Sequence, residues 1–352
     1  TIVPGIADIH VHLREPGFEY KETIDSGVNA AISGGVTTLC AMPNTVPCPD
    51  NVEQYLKINE KLKNLPIKVI QSTAVNKNLS EKRTDWKNLF ESGSYIFTND
   101  GLPIESEIDL EDVLSFSKNK IIRIAEHPEF VGKDEISYKG EAKMIRRDLE
   151  INRNIGGNIH FQHISLSESI DVLEHAKNSK IKFTAETCPH YIVNIKKTRK
   201  KSYYNVYPPL RSSDDVNSII NGIKKGIISI ISSDHAPHTM EEKESQNPSR
   251  GFSGTELLFL TVYNYLYLRE IIKIEKLIEL LVVNSHNFLN ITPPSIKPGS
   301  KADFFLFDPE EEWIIGEKEL VSNGKNSAFL GNKIRGRINM TFSNGKMIYR
   351  RK

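Results

Sequence analysis

The sequence predicts an α/β protein, a (β/α)8 barrel of the TIM type with a small accessory β-domain at its C-terminal end. Three observations carry that prediction. Short β-branched runs alternate eight times with longer stretches of helical periodicity. After His286 the alternation gives way to strand-like runs separated by Gly, Asn and Pro. No internal repeat or low-complexity tract suggests a solenoid instead.

The strand-like runs occupy residues 7–13, 37–42, 67–75, 95–98, 121–126, 158–164, 182–187 and 227–233. Parallel pairing needs crossovers of a dozen or more residues, and helices suit that task. Helical patterns at 21–33, 52–62, 167–176, 214–225, 255–268 and 274–283 supply them. Eight such units close a barrel, predicted over residues 5–290. The remaining 291–352, together with 1–4, form the accessory domain, with strands near 297–308 and 331–349. A piece of about sixty residues has too little core to stand alone. It is expected to pack on the barrel, joined by strands from a segment preceding Thr1.

Hydrophobic residues make up 38% of the chain and charged residues 26%, an ordinary globular balance. The formal charge of +1 provides no global field for nucleic acid or an acidic membrane. The apolar runs are too short to span a bilayer and no leader is visible, so a cytoplasmic protein is expected. Cys40, Cys48 and Cys188 form no disulfide framework and no CxxC pair.

The chemistry concentrates at the strand ends. His10 and His12 sit two apart in the first run, which on a strand puts both imidazoles on one face. Taken alone they could simply line a polar rim. However, Asp100 follows the fourth run, His127 the fifth, His163 the sixth and Asp234 the eighth. Barrel active sites are built at the C-terminal ends of the strands. Four histidines and two carboxylates meeting there can hold one or two divalent ions, and imidazole with carboxylate suits Zn2+. His160, three from His163, is expected on the opposite face, packed or supporting. His175 should face solvent from a helix, and His286 should cap or pack a late helix. His190 and His235 are candidates for orienting the ligands by hydrogen bonds. Cys188 reads as a small buried apolar residue. The basic run 196–201 reads as a solvated loop with the acidic 310–312 as its counterpart.

Several segments resemble the amidohydrolase superfamily and, within it, the class I dihydroorotases, over nearly the whole chain. They are PGIADIHVHLREPG (4–17), KETIDSG (21–27), GGVTTLCAMPNT (34–45), FTNDG (97–101), HFQHIS (160–165), TAETCPHY (184–191), PPLR (208–211) and SSDHAPH (232–238). The resemblance implies zinc-dependent, reversible hydrolysis of the cyclic amide L-dihydroorotate to N-carbamoyl-L-aspartate, a step of pyrimidine biosynthesis. It implies that His10, His12, Asp100 and Asp234 hold a first zinc, and that Asp100 bridges to a second held by His127 and His163. Asp234 is then the catalytic base. His12, Arg14, Asn44 and His238 resemble the substrate contacts, with Arg250 and Gly251 at a backbone-contact position. Four features depart from the pattern. Tyr207 stands where Asn usually precedes PPLR, and Asn99 replaces an Asp. His127 lies in AEHPE, and Arg250 replaces an apolar residue. A homodimer and an aspartate carbamoyltransferase are the implied partners. Two alternatives stay open: a sister cyclic amidase acting on hydantoins, dihydropyrimidines or allantoin, and a non-catalytic dihydroorotase-like subunit that scaffolds the transcarbamoylase.

Overall fold

The computed structural model describes residues 1–129, 140–195 and 200–351. Four of the six residues of the basic run 196–201 therefore lie outside the described residues. Lys200, which is described, pairs with Glu244 at 2.6 Å.

Two parallel sheets make the barrel. The first joins β2 (Ile6–Val11), β3 (Val36–Ala41) and β4 (Lys68–Gln71) in that order. The second joins β5 (Ile96–Thr98), β6 (Arg123–Glu126), β7 (Ile159–Phe161), β8 (Thr184–Thr187) and β9 (Ile230–Ile231). Parallel bridges between Thr73 and Phe97, and between Val11 and His235, close the two sheets into one ring. Every residue of β2 and β3 is buried, as a sheet covered on both faces requires. Each of the eight predicted runs overlaps one of these strands; six enclose theirs, while β2 and β3 begin one residue before the predicted start.

The crossover helices start where capping chemistry tells them to. Before α1 (Ile24–Ser33), Thr23 and Ser26 form a reciprocal capping box, and Asn51 caps α2 (Val52–Leu62). Next come α3 (Trp86–Glu91), α4 (Glu107–Ser117), α5 (Gly140–Ile155) and α6 (Ser167–Asn178). Ser212 and Asp215 box the start of α7 (Ser213–Lys224). The helix predicted over 255–268 is instead three consecutive pieces, ending in a wide i→i+5 turn at Tyr263–Tyr267. The one predicted over 274–283 widens the same way at Glu279–Val283.

A four-stranded antiparallel sheet lies outside the barrel, in the order β1 (Ile2–Pro4), β10 (Phe304–Ile314), β11 (Lys333–Ser343), β12 (Lys346–Arg350). Alternate residues of β10 and β11 turn inward, among them Phe305, Phe307, Ile334 and Ile338. Phe305 meets Phe259 edge-on at 4.9 Å and presses on Gly35, where a Cβ would lie 2.6 Å from its ring. Gly35 also has φ +77, so no other residue fits that contact well. β10 runs further than predicted, through the acidic 310–312. These acids pair across the strands: Glu310 with Arg335, Glu311 with Arg351 at 2.6 Å and Glu312 with Lys333 at 2.5 Å.

Candidate metal centre and substrate pocket

The six predicted ligands come from five different strand ends. His10 is the fifth residue of β2 and His12 follows that strand directly; Asp100, His127, His163 and Asp234 lie within three residues of the ends of β5, β6, β7 and β9. All six are buried. His10 Nε2 lies 2.9 Å from Asp100 Oδ1 and 3.6 Å from Asp234 Oδ1; His12 Nε2 lies 3.5 Å from Asp100 Oδ2 and 3.2 Å from Asp234 Oδ1. Two groups emerge in which the ligand atoms lie within 4.8 Å of one another: His10, His12 and Asp234, and His10, Asp100 and His163. His127 is outside both groups, but its ring stands perpendicular to that of His163 at 4.4 Å.

The donor set fits a divalent ion. Ligands about 2.0–2.1 Å from one tetrahedral ion lie roughly 3.3 Å apart, the spacing seen among these atoms. His127 Nδ1 and His163 Nδ1 are buried without a hydrogen-bond partner among the described residues, and His10 Nε2 faces only the carboxylates of Asp100 and Asp234. Buried ring nitrogens without a partner are costly unless something fills the space beside them. The far nitrogen of His10 is fixed: its Nδ1 lies 2.7 Å from Glu186 Oε1 and 3.3 Å from Gln162 Nε2. Such a carboxylate–histidine pair is how metal-binding imidazoles are oriented. Glu186 and Gln162 were not singled out in the sequence, although both lie within the resembling segments.

The electrostatics bind the cluster together. Burial opposes ionisation of Asp100, yet His10 and His12 hold its pKa far below the usual carboxylate range. Burial likewise opposes that of Asp234, but His12 and His10 bring it down to about 2. Burial, reinforced by neighbouring imidazoles, keeps the pKa of His163 well below normal and that of His127 lowered. At His163 and His127 this favours the neutral imidazole, the form that ligates metal; at His10 burial is outweighed by Asp100 and Glu186, which raise its pKa well above normal. The backbone is strained at this site: Arg14, His163 and Asp234 have φ of 64, 34 and 48, a left-handed region unusual for non-glycine residues.

A cavity of about 410 Å³ opens above the cluster, walled by His12, Asp100, His127, His163 and Asp234 on one side. Arg14, Asn44, Tyr207, His238, Arg250 and Gly251 also line it. Asn44 joins the two sides, with Oδ1 2.9 Å from His12 Nδ1 and Nδ2 donating to Asp100 Oδ2 at 3.3 Å. Arg14 is anchored by Nε donating to Pro237 O at 3.1 Å, with Nη2 3.2 Å from His238 Nε2. Burial draws the Arg14 pKa down to about 10, which leaves it a cation at neutral pH. Tyr207 stacks on His127 at 5.5 Å, and the Arg250 guanidinium lies 4.8 Å over the Tyr207 ring. The N–H of Gly251 donates to Asn205 O at 2.8 Å, so its backbone is engaged within the wall itself. Asn99 exchanges hydrogen bonds with Asn76, leaving the neighbouring Asp100 to face the cavity.

The other histidines separate cleanly. His160 Nδ1 lies 2.8 Å from Thr184 Oγ1, in a packed position, and His175 is exposed on α6. His286 Nδ1 donates to Val282 O at 2.7 Å. His235 Nδ1 accepts from Gly254 N at 3.1 Å, so its ring faces away from the ligands; its carbonyl accepts the His12 N–H at 2.8 Å. The His190 ring nitrogens have no hydrogen-bond partner among the described residues, so no orienting bond to a ligand is seen. Burial pushes the Cys188 thiol far above its normal pKa, leaving it inert. Among the described residues no helix is long and apolar enough to cross a membrane.

Relatives share both the fold and the sequence. A family model described as "Dihydro-orotase-like" matches residues 1–169. The dihydroorotase of Caldicellulosiruptor saccharolyticus is 33% identical, covering 99% of this chain and 86% of its own. That of Clostridioides difficile is 34% identical, over 99% of this chain and 88% of its own. The L-hydantoinase (dihydropyrimidinase) structure from Arthrobacter aurescens superposes with a TM-score of 0.89 at 20% identity, over 99% of this chain and 85% of that one. At that identity it attests the barrel-plus-sheet fold alone. Kinship at a third of all positions, sustained over nearly the full chain, makes this protein a member of the dihydroorotase family.

Proposed function

We propose that the chain catalyses the reversible hydrolysis of L-dihydroorotate to N-carbamoyl-L-aspartate, within pyrimidine biosynthesis in the cytoplasm. The observation that carries this reading is Arg14 and Asn44 in the wall of a cavity whose floor is the His/Asp cluster. A ring bearing a carboxylate is the cyclic amide that such a wall suits. A planar guanidinium matches a carboxylate by paired hydrogen bonds, which an uncharged hydantoin or dihydropyrimidine cannot use.

His10, His12, Asp100, His127, His163 and Asp234 would hold the metal, one or two Zn2+ ions, with Asp100 shared in the second case. A divalent ion there supplies Lewis-acid chemistry, acidifying water and polarising a carbonyl. The chain's own residues do the rest. Arg14, with His12, Asn44 and His238, binds the ring and its carboxylate, fixing which carbonyl faces Asp234. The Asp234 carboxylate takes the proton of the attacking water and passes it to the ring nitrogen as the C–N bond breaks. Arg250 and Gly251 close the wall on the far side, and Tyr207 fills its position with a ring stacked on His127. The division into a barrel at 5–290 and an accessory domain of 291–352 with 1–4 is part of the proposal. So are a homodimer and an aspartate carbamoyltransferase as partners.

Stripping the protein with dipicolinate should abolish ring opening, and stoichiometric Zn2+ should restore it. Activity that survives verified metal removal would refute the metal assignment. Glu186→Gln, which removes the charge behind His10, should weaken zinc affinity about 10–100-fold in a chelator competition. Unchanged affinity would show that Glu186 does not orient His10.

A further inference from the structure

Lys243 is entirely buried, yet among the described residues its ammonium meets no carboxylate. It lies in α8 (Met240–Glu244), just after the segment that carries Asp234 and His238. Nζ donates to three backbone carbonyls: Gly251 O at 2.8 Å, Ser249 O at 2.9 Å and Asn205 O at 3.4 Å. Three donors thus meet three acceptors, and the hydrogen-bonding capacity of the ammonium is used up. Burial with no opposing charge draws its pKa down to about 8. A buried cation without an anion is an expensive arrangement, so its location calls for a reason.

The three carbonyls belong to two separate stretches of chain. One leads from Asn205 to Tyr207, and the other is the Ser249–Gly251 turn; both contribute to the cavity wall. Two more bonds tie them, Gly251 N to Asn205 O at 2.8 Å and Asn205 Nδ2 to Pro248 O at 2.6 Å. Gly251 has φ +117 and sits so close to Ala236 that an added Cβ would lie 2.5 Å from the Ala236 Cβ. The turn is therefore pressed against the segment that follows Asp234, with the Arg250 carbonyl 2.8 Å from His238 Nε2. Residues 244–247 between the lysine and this turn are exposed. Lys243 thus ties the neck of an exposed loop whose far end forms part of the pocket.

We propose that Lys243 is a positioning residue for substrate binding: it clamps the Asn205–Tyr207 and Ser249–Gly251 stretches into one wall. This rests on reading the cavity as the substrate pocket. His10, His12, Asp100 and His163 come from other elements, so loss of the clamp should affect binding more than turnover.

The test compares wild type with Lys243→Met, which keeps the stem, and with Lys243→Gln, which keeps two donors. Kinetics of L-dihydroorotate opening are measured beside calorimetric binding of orotate, a ring acid with the same carboxylate, and the rate of proteolysis within 244–250. Lys243→Met should keep its zinc content, raise KM and the orotate Kd at least about 10-fold and lower kcat less than about 3-fold. Cleavage of the loop should accelerate, and Lys243→Gln should fall between the two. A folded variant with wild-type KM, Kd and cleavage rate would overturn the clamp, as would loss of kcat and melting temperature with KM unchanged. If wild type binds orotate but opens no dihydroorotate, the proposed reaction fails. The Kd and cleavage comparisons would still decide the clamp.

Discussion

Asp234→Ala should abolish turnover, with kcat falling on the order of 10³-fold or more while the fold is retained. The carboxylate stands at the end of β9, where Oδ1 is 3.2 Å from His12 Nε2 and 3.6 Å from His10 Nε2. No other carboxylate among the described residues lies both at the cluster and in the cavity wall except Asp100. Asn44 Nδ2 donates to Asp100 Oδ2, which occupies an oxygen that a base would need. The proposed mechanism therefore gives the proton transfer to Asp234. Asp234→Asn separates the base from mere bulk, because it keeps shape and loses only the proton-accepting oxygen. Zinc content measured on both variants divides ligand loss from base loss. Near-normal kcat in either variant would remove Asp234 from the chemistry.

Arg14→Ala should raise KM for L-dihydroorotate by on the order of 10–100-fold, the cost of a charge-assisted pair, with a smaller change in kcat. The residue is held for the purpose: its backbone is strained at φ 64, and Pro237 O and His238 fix the guanidinium on one edge. No hydrogen bond to its other edge is seen among the described residues, and the proposal puts the substrate carboxylate there. Arg14→Lys keeps the charge but not the fork, so its KM should lie between those of Ala and wild type. An Arg14→Ala enzyme with unchanged KM would mean that the carboxylate binds elsewhere, and Arg250 over Tyr207 would be the next place to look.

Much of this was legible before any coordinates because the ligand pattern and the strand pattern agree. His10 and His12 share a face through the two-residue period of a strand, and the other four ligands follow β-rich runs, where a barrel places its chemistry. Glu186 was less legible. In TAET it reads as one more buried polar residue of a strand, and only the closed barrel brings it within 2.7 Å of His10, 176 positions away. Nothing in MEEKE marks Lys243, since local sequence cannot tell an exposed lysine from one threaded under a loop. The strand through 304–314 was read short because its acids look like a loop until β11 presents Arg335 and Lys333 opposite them. The helices after residue 255 kept their place but not their regularity, because hydrophobic periodicity does not distinguish i→i+4 from i→i+5 turns.

The central claim is that this pocket selects a cyclic amide by its carboxylate. Initial rates of ring opening by the zinc-loaded protein, with L-dihydroorotate, dihydrouracil and hydantoin at equal concentrations, test it most directly. The account predicts turnover of dihydroorotate with the two uncharged rings at background. Turnover of the uncharged rings without dihydroorotate would contradict it and place the chain with the hydantoin- and pyrimidine-ring amidases; silence on all three with zinc bound would equally contradict it, in favour of a scaffold.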